Sequence, residues 1–283
     1  RTMTTIAIVG LGLMGASLAK AVRPHYDHII GVTRHEETGR KAVARGIVDV
    51  AAMNYEMGLP AADIVVLAAP VRIIISQLQT AHHYFKDGAV ITDLGSTKRE
   101  IVAAMNALPN QFGAVGSHPM CGKEISGIDA ADEALYRNKT WVICPTLRTT
   151  PAAHEAITQL AQNAGANTLE VDAARHDAIA AMVSHLPYSV AAALTSAADG
   201  FSQSEPLTWN VAASGFRDTT RVAAGDVTMM LDILLTNADK TLAAIRDFQF
   251  NLDQFAAMLE RKDEPGLRAF MDMAARTRRE LNK

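Results

Sequence analysis

The sequence predicts an α/β domain built on a mostly parallel sheet, followed by an all-α domain, and three observations carry this reading. A short apolar run, Thr4–Val9, ends on Gly10-Leu11-Gly12-Leu13-Met14-Gly15. Apolar segments of strand length then alternate with helical patterns to about residue 172. From Ala173 onward only helical periodicity remains, so the boundaries read as 1–172 and 173–283.

The first run is short enough for a buried strand, and a helical pattern begins just after Gly12. Gly10, Gly12 and Gly15 have the spacing of the dinucleotide fingerprint. The first permits a tight turn, the second lets backbone approach a pyrophosphate, and the third lets helix pack closely on strand. The helix N-terminus adds free N–H groups and a positive dipole end for phosphates. The plain alternative is an ordinary strand–turn–helix, but the placement after an apolar strand at the start of the chain favours a Rossmann-type site. Leu13 and Met14 lie on this turn and join the expected cofactor contacts.

His28–Arg34 reads as the second strand. A carboxylate at its end bonds the ribose 2′-hydroxyl in NAD-binding versions. Here Thr33-Arg34-His35 stands there instead. A carboxylate would repel a 2′-phosphate, whereas Thr33 and Arg34 can bond it, so NADP is expected over NAD. The alternative is that Arg34 stacks on adenine or faces solvent. Asp63–Pro70 is the next strand, stopped by proline, with Ala69 and Pro70 on the cofactor side. Ala89–Asp93 leads to Gly95-Ser96-Thr97-Lys98, and Gln111–Gly116 leads to Ser117-His118-Pro119. Thr140–Pro145 and Thr168–Val171 add later strands.

Ligands of open α/β sheets bind outside the carboxyl ends of the strands. Gly10–Gly15, Ser96 and His118 are expected just after strands, hence along one edge. A neutral imidazole accepts a proton near neutral pH, which makes His118 the chemical candidate, with Ser96 orienting it or touching the same substrate oxygen.

In the second half Ile179, Met182, Val183, Leu186, Val190 and Leu194 keep a helical spacing, and Pro187 is expected to kink or redirect that helix. His185 and Tyr188 flank the kink about one turn apart. Arg217 follows Gly215-Phe216, which suits a fixed, partly buried guanidinium that binds a carboxylate through two bonds; a local contact with Asp218 is the bland alternative. Leu242, Ile245, Phe248, Leu252, Phe255 and Leu259 form a long apolar stripe, either core or a subunit seam, and a homodimer is favoured. Asp263-Glu264-Pro265 starts a last helix, with proline where its missing N–H costs little.

Composition excludes several classes. The 283 residues are 49% hydrophobic, ample for a buried core, and the net charge of −3 favours neither nucleic acid nor an anionic membrane surface. Two cysteines without a CxxC or metal spacing give neither a disulfide framework nor a metal site, and fit a cytoplasmic setting. No uninterrupted apolar run approaches about 18 residues, so no membrane span is expected.

With these residues in view, the chain resembles the prephenate/arogenate dehydrogenase family of tyrosine biosynthesis. The resemblance rests on Gly10–Gly15, Gly95–Lys98, Gly116–Gly122, Ser184-His185-Leu186-Pro187 and Ser214–Arg221, in that order. It implies a 6-phosphogluconate-dehydrogenase-like helical domain that binds substrate and pairs subunits. It implies an oxidative decarboxylation with hydride transfer to NAD(P). In it His118 takes the ring hydroxyl's proton, Ser96 bonds His118, the hydroxyl or the nicotinamide, and Arg217 holds a substrate carboxylate. His185 lies near the cofactor or supports the pocket. Tyr188 stands where family members often carry a second His. Glu124 faces the substrate side chain, which distinguishes the keto group of prephenate from the amine of arogenate; prephenate is the expected substrate.

Two rivals stand beside this. β-Hydroxyacid dehydrogenases share the layout but depend on a Lys in the first long helix of the second half, and this chain has none between Lys139 and Lys240. A non-catalytic NADP-sensing regulator would leave His118 and Arg217 without a task.

Overall fold

The computed structural model describes residues 4–123 and 125–281. Thr5–Val9 forms β1, and its side chains alternate between two cores, Ile6 and Ile8 in one, Ala7 and Val9 in the other. A continuous apolar run needs both sheet faces covered, and that is what it receives. The chain continues through α1 (Leu13–Val22), β2 (His28–Val32), α2 (Glu36–Ala44), β3 (Val50–Ala52), α3 (Tyr55–Gly58), β4 (Ile64–Leu67), α4 (Val71–Thr80), β5 (Val90–Asp93), α5 (Arg99–Asn106), β6 (Gly113–Pro119), β7 (Thr140–Pro145), α6 (Pro151–Asn163) and β8 (Asn167–Glu170). Leu18 of α1 and Ile157 and Leu160 of α6 pack on the Ile6 face; Ile74 and Leu78 of α4 and Ile101 and Met105 of α5 pack on the other.

The strand order is β3-β2-β1-β4-β5-β6-β7-β8, with only β6–β7 antiparallel. Strands one to three build outward from β1, and β4 then starts on its other side. That reversal opens a crevice at the carboxyl ends of β1 and β4. Gly10, after β1, and Ala68, after β4, sit there.

One expectation is corrected in β6. Ser117-His118-Pro119 continues the strand instead of following it, and His118 pairs with Val142 of β7. The antiparallel partner extends the ladder, and Pro119 is tolerated because it closes the strand. Short β3, three residues at the sheet edge, was not foreseen.

The helices that follow are α7 (Ala173–Ala180), a π-helical turn at Ala181–His185, and α8 (Leu186–Ser202). The kink expected at Pro187 takes the form of that wide turn, with the proline just after it in the same continuous helix, where its missing N–H withdraws a donor from the preceding turn. The apolar spacing marks the helix but not its buried face. Ala180, Ala181, His185, Leu186 and Ala191 point inward, while Ile179, Met182, Val183 and Leu194 are exposed. By length and composition Ala173–Ser202 could cross a membrane, which counting uninterrupted runs missed. Its buried His176 and Asp177 instead bond the residues around β5 and β6. Then come α9 (Ser214–Thr220), α10 (Val227–Thr236), α11 (Ala238–Glu260) and α12 (Glu264–Glu280).

Strands give way to helices near residue 172, but the chain separates into compact units at Arg1–Asn237 and Ala238–Lys283. The helices between 173 and 237 pack with the sheet; the backbone N–H of Arg72 on α4, for example, donates to Asp232 of α10 at 3.0 Å. In the second unit Asp263 caps α12 by accepting from the N–H of Gly266 at 3.0 Å, as its Asp-Glu-Pro start predicts. Phe255 meets Phe270 edge-on at 5.5 Å. Most of the α11 stripe is not core: Leu242, Leu252 and Leu259 are each more than half exposed.

Candidate active site

The glycine turn is shaped as its spacing requires. Gly10 has φ +103°, and a Cβ there would lie 2.4 Å from the carbonyl oxygen of Ala68. A Cβ on Gly15 would lie 1.9 Å from the carbonyl of Gly10. Protein packing therefore demands both glycines. Beyond its chain neighbours, no described atom lies within 4 Å of a Cβ built on Gly12, which ends the turn at the N-terminus of α1 with no side-chain cap. Open space before uncapped N–H groups is what a pyrophosphate needs, so these residues fit a dinucleotide. Leu13 is buried, and the carbonyl of Met14 accepts from the Tyr136 hydroxyl at 2.6 Å, which anchors the first turn. Thr33 is buried just beyond β2 and accepts from the N–H of His35 at 3.2 Å, leaving its own hydroxyl proton available. Arg34 is exposed beside it, and Ala69 and Pro70 line the opposite lip after β4.

A buried carboxylate organises the next part of the edge. Asp93 ends β5 and accepts from the N–H of Gly95 at 2.7 Å and from the N–H of Ser117 at 3.0 Å. Lys98 forms an ion pair with Asp93 and donates to the carbonyl of Ser117 at 2.7 Å, both side chains fully buried. The Thr97 and Thr236 hydroxyls bond each other at 2.9 Å. The Asp93 and Lys98 bonds to Ser117 tie the Gly95–Lys98 loop to β6, the Thr97 bond ties it to α10, and Ser96 and His118 are so held to one framework. The Ser96 hydroxyl is half-buried, with no partner among the described residues.

His118 is bonded through Nδ1 to Nε2 of His176 at 2.9 Å, and Nδ1 of His176 is bonded to Asp177 at 2.8 Å. Asp177 also accepts from the backbone N–H groups of Lys98, at 2.7 Å, and Arg99, at 2.9 Å, where α5 begins. Burial works to raise the Asp177 carboxyl, but the bonds from His176 and from those two N–H groups win and hold it below the usual carboxylate range. Burial above all, with the nearby Lys98 ammonium adding to it, holds His118 well below the usual histidine range. His118 is thus a neutral imidazole, the form a general base requires.

The remaining candidates are dispersed. His185 lies buried in the π turn, bonded to Asn237 at 3.3 Å, and burial pushes it down to about 4. It supports the packing behind Asp177, whose carbonyl accepts from the same Asn237 at 2.8 Å. Tyr188 is half-buried on α8. Arg217 lies on α9 and is exposed, not partly buried as its sequence context suggested, and its guanidinium makes no ion pair with Asp218. Its preceding Phe216 packs on Trp209 at 5.8 Å, which fixes the helix but leaves the arginine outward. Glu124 lies outside the described residues. Among the described residues no three metal-ligating side chains converge.

Lys98, Asp93, His176 and Asp177 were not singled out from sequence. The one available signal was a His-Asp pair opening the first helix after the last strand.

Comparison with known proteins agrees with this layout. The family profile described as "Prephenate dehydrogenase, nucleotide-binding domain" matches residues 18–170, and "Prephenate dehydrogenase, dimerization domain" matches 172–273. A prephenate dehydrogenase of Lactococcus lactis is 35% identical over 99% of this chain and 78% of its own. The crystal structure of prephenate dehydrogenase from A. aeolicus with hydroxyphenyl propionate and NAD+ superposes with TM-score 0.93 at 30% identity, covering 99% of each chain. Synechocystis arogenate dehydrogenase gives TM-score 0.87 at 32% identity, over 98% of this chain and 100% of that one.

Proposed function

This chain belongs to the prephenate dehydrogenase family, and from that premise we propose that it converts prephenate to 4-hydroxyphenylpyruvate by oxidative decarboxylation, with NADP the favoured acceptor and NAD the alternative. The observation that carries this is His118, a neutral imidazole on the same sheet edge as the glycine turn. When bound at that turn, the dinucleotide supplies the hydride acceptor. His118 accepts the proton of the ring hydroxyl as that carbon is oxidised. Ser96 bonds the same oxygen and limits its rotation. Arg217 holds a carboxylate of the substrate, Tyr188 contributes to the pocket, and His185 supports the packing behind Asp177. Departure of carbon dioxide aromatises the ring and supplies most of the driving force, so the side chains contribute mainly orientation and charge control.

Arg217→Ala is expected to raise KM for prephenate on the order of 10- to 100-fold, the equivalent of about 1.5–3 kcal/mol for a charge-assisted contact, with a smaller change in kcat. Steady-state kinetics measure this, and an unchanged KM removes Arg217 as the anchor.

NADP is favoured because Thr33 and Arg34, not an acid, stand after β2. Arogenate is the second reading, supported by the likeness to the Synechocystis enzyme. Assaying two substrates against two cofactors tests both choices. The largest kcat/KM is expected with prephenate and NADP; a larger value with arogenate or NAD reverses the corresponding choice.

Residues 173–283 serve in this reading as a substrate and dimerisation domain, with the exposed apolar residues of α8 and α11 covered by a second copy. The reducing cytoplasm suits the two free cysteines.

A further inference from the structure

Three residues from distant parts of the chain stand in series. His118 comes from β6, and His176 and Asp177 come from the first turn of α7. The bonds run from His118 Nδ1 to His176 Nε2, and from His176 Nδ1 to the Asp177 carboxylate. The two imidazoles meet edge to face, with centroids 5.1 Å apart. Asp177 is held independently of either ring, because its two oxygens also take the first N–H groups at the start of α5. His176 is 3% exposed and Asp177 is fully buried, so neither can touch a substrate.

We propose that His176 and Asp177 are positioning residues that set the tautomer of His118, with hydrogen on Nδ1 and the lone pair on Nε2. The inference rests on the reading of His118 as the base. An ionised carboxylate only accepts hydrogen bonds. Asp177 therefore takes a hydrogen from Nδ1 of His176. A neutral His176 then has only its Nε2 lone pair for the other bond. His118 must donate into it from Nδ1, and its Nε2 is left unprotonated. That nitrogen takes the substrate proton. The substrate O–H bond breaks and an N–H bond forms at Nε2, while the electron pair stays on oxygen as the carbonyl forms. The resulting imidazolium keeps its Nδ1–H on His176, and the Asp177 carboxylate offsets its charge from the far side. Lys98 and His185 face the same group, but no other described residue bonds the His118 ring. A cationic His176 would reverse the middle bond and place a hydrogen on Nε2 of His118, the wrong nitrogen for a base.

The experiment is nitrogen NMR of the intact protein with 15N-labelled histidine at neutral pH, the His118 signals being assigned by their loss in His118→Asn. The expected result is a protonated Nδ1 and an unprotonated Nε2 at His118. A hydrogen on Nε2 in the unaltered protein overturns the proposal and needs no variant to fold. Kinetics give the second readout. His176→Leu removes the acceptor and is expected to lower kcat on the order of 10- to 10³-fold, short of the roughly 10⁴ seen when a triad histidine adopts the wrong tautomer. Its KM for prephenate should stay within about twofold, because His176 does not touch substrate. His176→Gln, whose amide oxygen can accept from Nδ1–H, should recover most of kcat and move the His118 signals back toward the wild-type tautomer. If His118→Asn is inactive while His176→Leu keeps wild-type kcat and tautomer, the proposal is overturned and His118 remains the base. If His118→Asn turns over normally, the reading of His118 as base fails instead.

Discussion

Replacing His118 with Asn is expected to leave the fold intact and to lower kcat by a factor of about 10²–10⁴, the usual contribution of a positioned general base. The backbone of residue 118 stays in the β6–β7 ladder, and the shorter amide can still bond His176, so the strand has no reason to open. What Asn cannot do is accept a proton near neutral pH. The substrate hydroxyl would have to lose its proton to water while the ring carbon is oxidised. The pH dependence carries the same argument. A base works only when unprotonated, and burial with nearby positive charge holds His118 well below the ordinary histidine value of 6.5. Values of kcat/KM should therefore be level above that pH and fall only as pH drops further, where the imidazole becomes protonated. A profile half-lost near 6.5 would show an unshifted group, and near wild-type turnover in His118→Asn would take the residue out of the mechanism.

Lys98→Met is expected to cost about 3–5 kcal/mol of stability, because it leaves the Asp93 carboxylate buried without its cation. In a chain of this size that lowers the melting midpoint by roughly 5–8 °C. Asp93 would keep its bonds from the N–H groups of Gly95 and Ser117, so the loop loosens without losing every tie. The carbonyl of Ser117 loses its donor as well, directly beside His118. Removing both charges with Lys98→Met and Asp93→Asn should be less harmful than removing Lys98 alone, since an absent pair costs less than half of one. Thermal unfolding of the single and double variants measures this. A single variant that melts within about 2 °C of the parent would contradict the role given to the pair.

The parts of the molecule legible in sequence are those whose cause is local. Gly10 and Gly15 are demanded by a positive φ and by backbone approach, and only glycine meets either demand. The strands read as apolar runs because both faces of the sheet are covered. The start of α12 read correctly because Asp263 and Pro265 act within one turn. What failed has a distant cause. His118 belongs to a strand because β7, more than twenty residues later, continues the ladder beside it. The bond to His176 spans 58 residues and leaves no periodic trace. The apolar spacing along α7, α8 and α11 announces a sticky face, but periodicity does not say whether the chain itself or another copy covers it. Arg217 was read from its neighbours as partly buried, and α9 turns it outward.

This chain is expected to oxidise and decarboxylate prephenate in one coupled reaction. The decisive measurement supplies purified protein with prephenate and NADP and follows reduced nicotinamide and carbon dioxide together. Equal amounts of both products, growing with each mole of prephenate consumed, are the expected result. No turnover with prephenate or arogenate on either cofactor, from protein that still binds a dinucleotide, would contradict it.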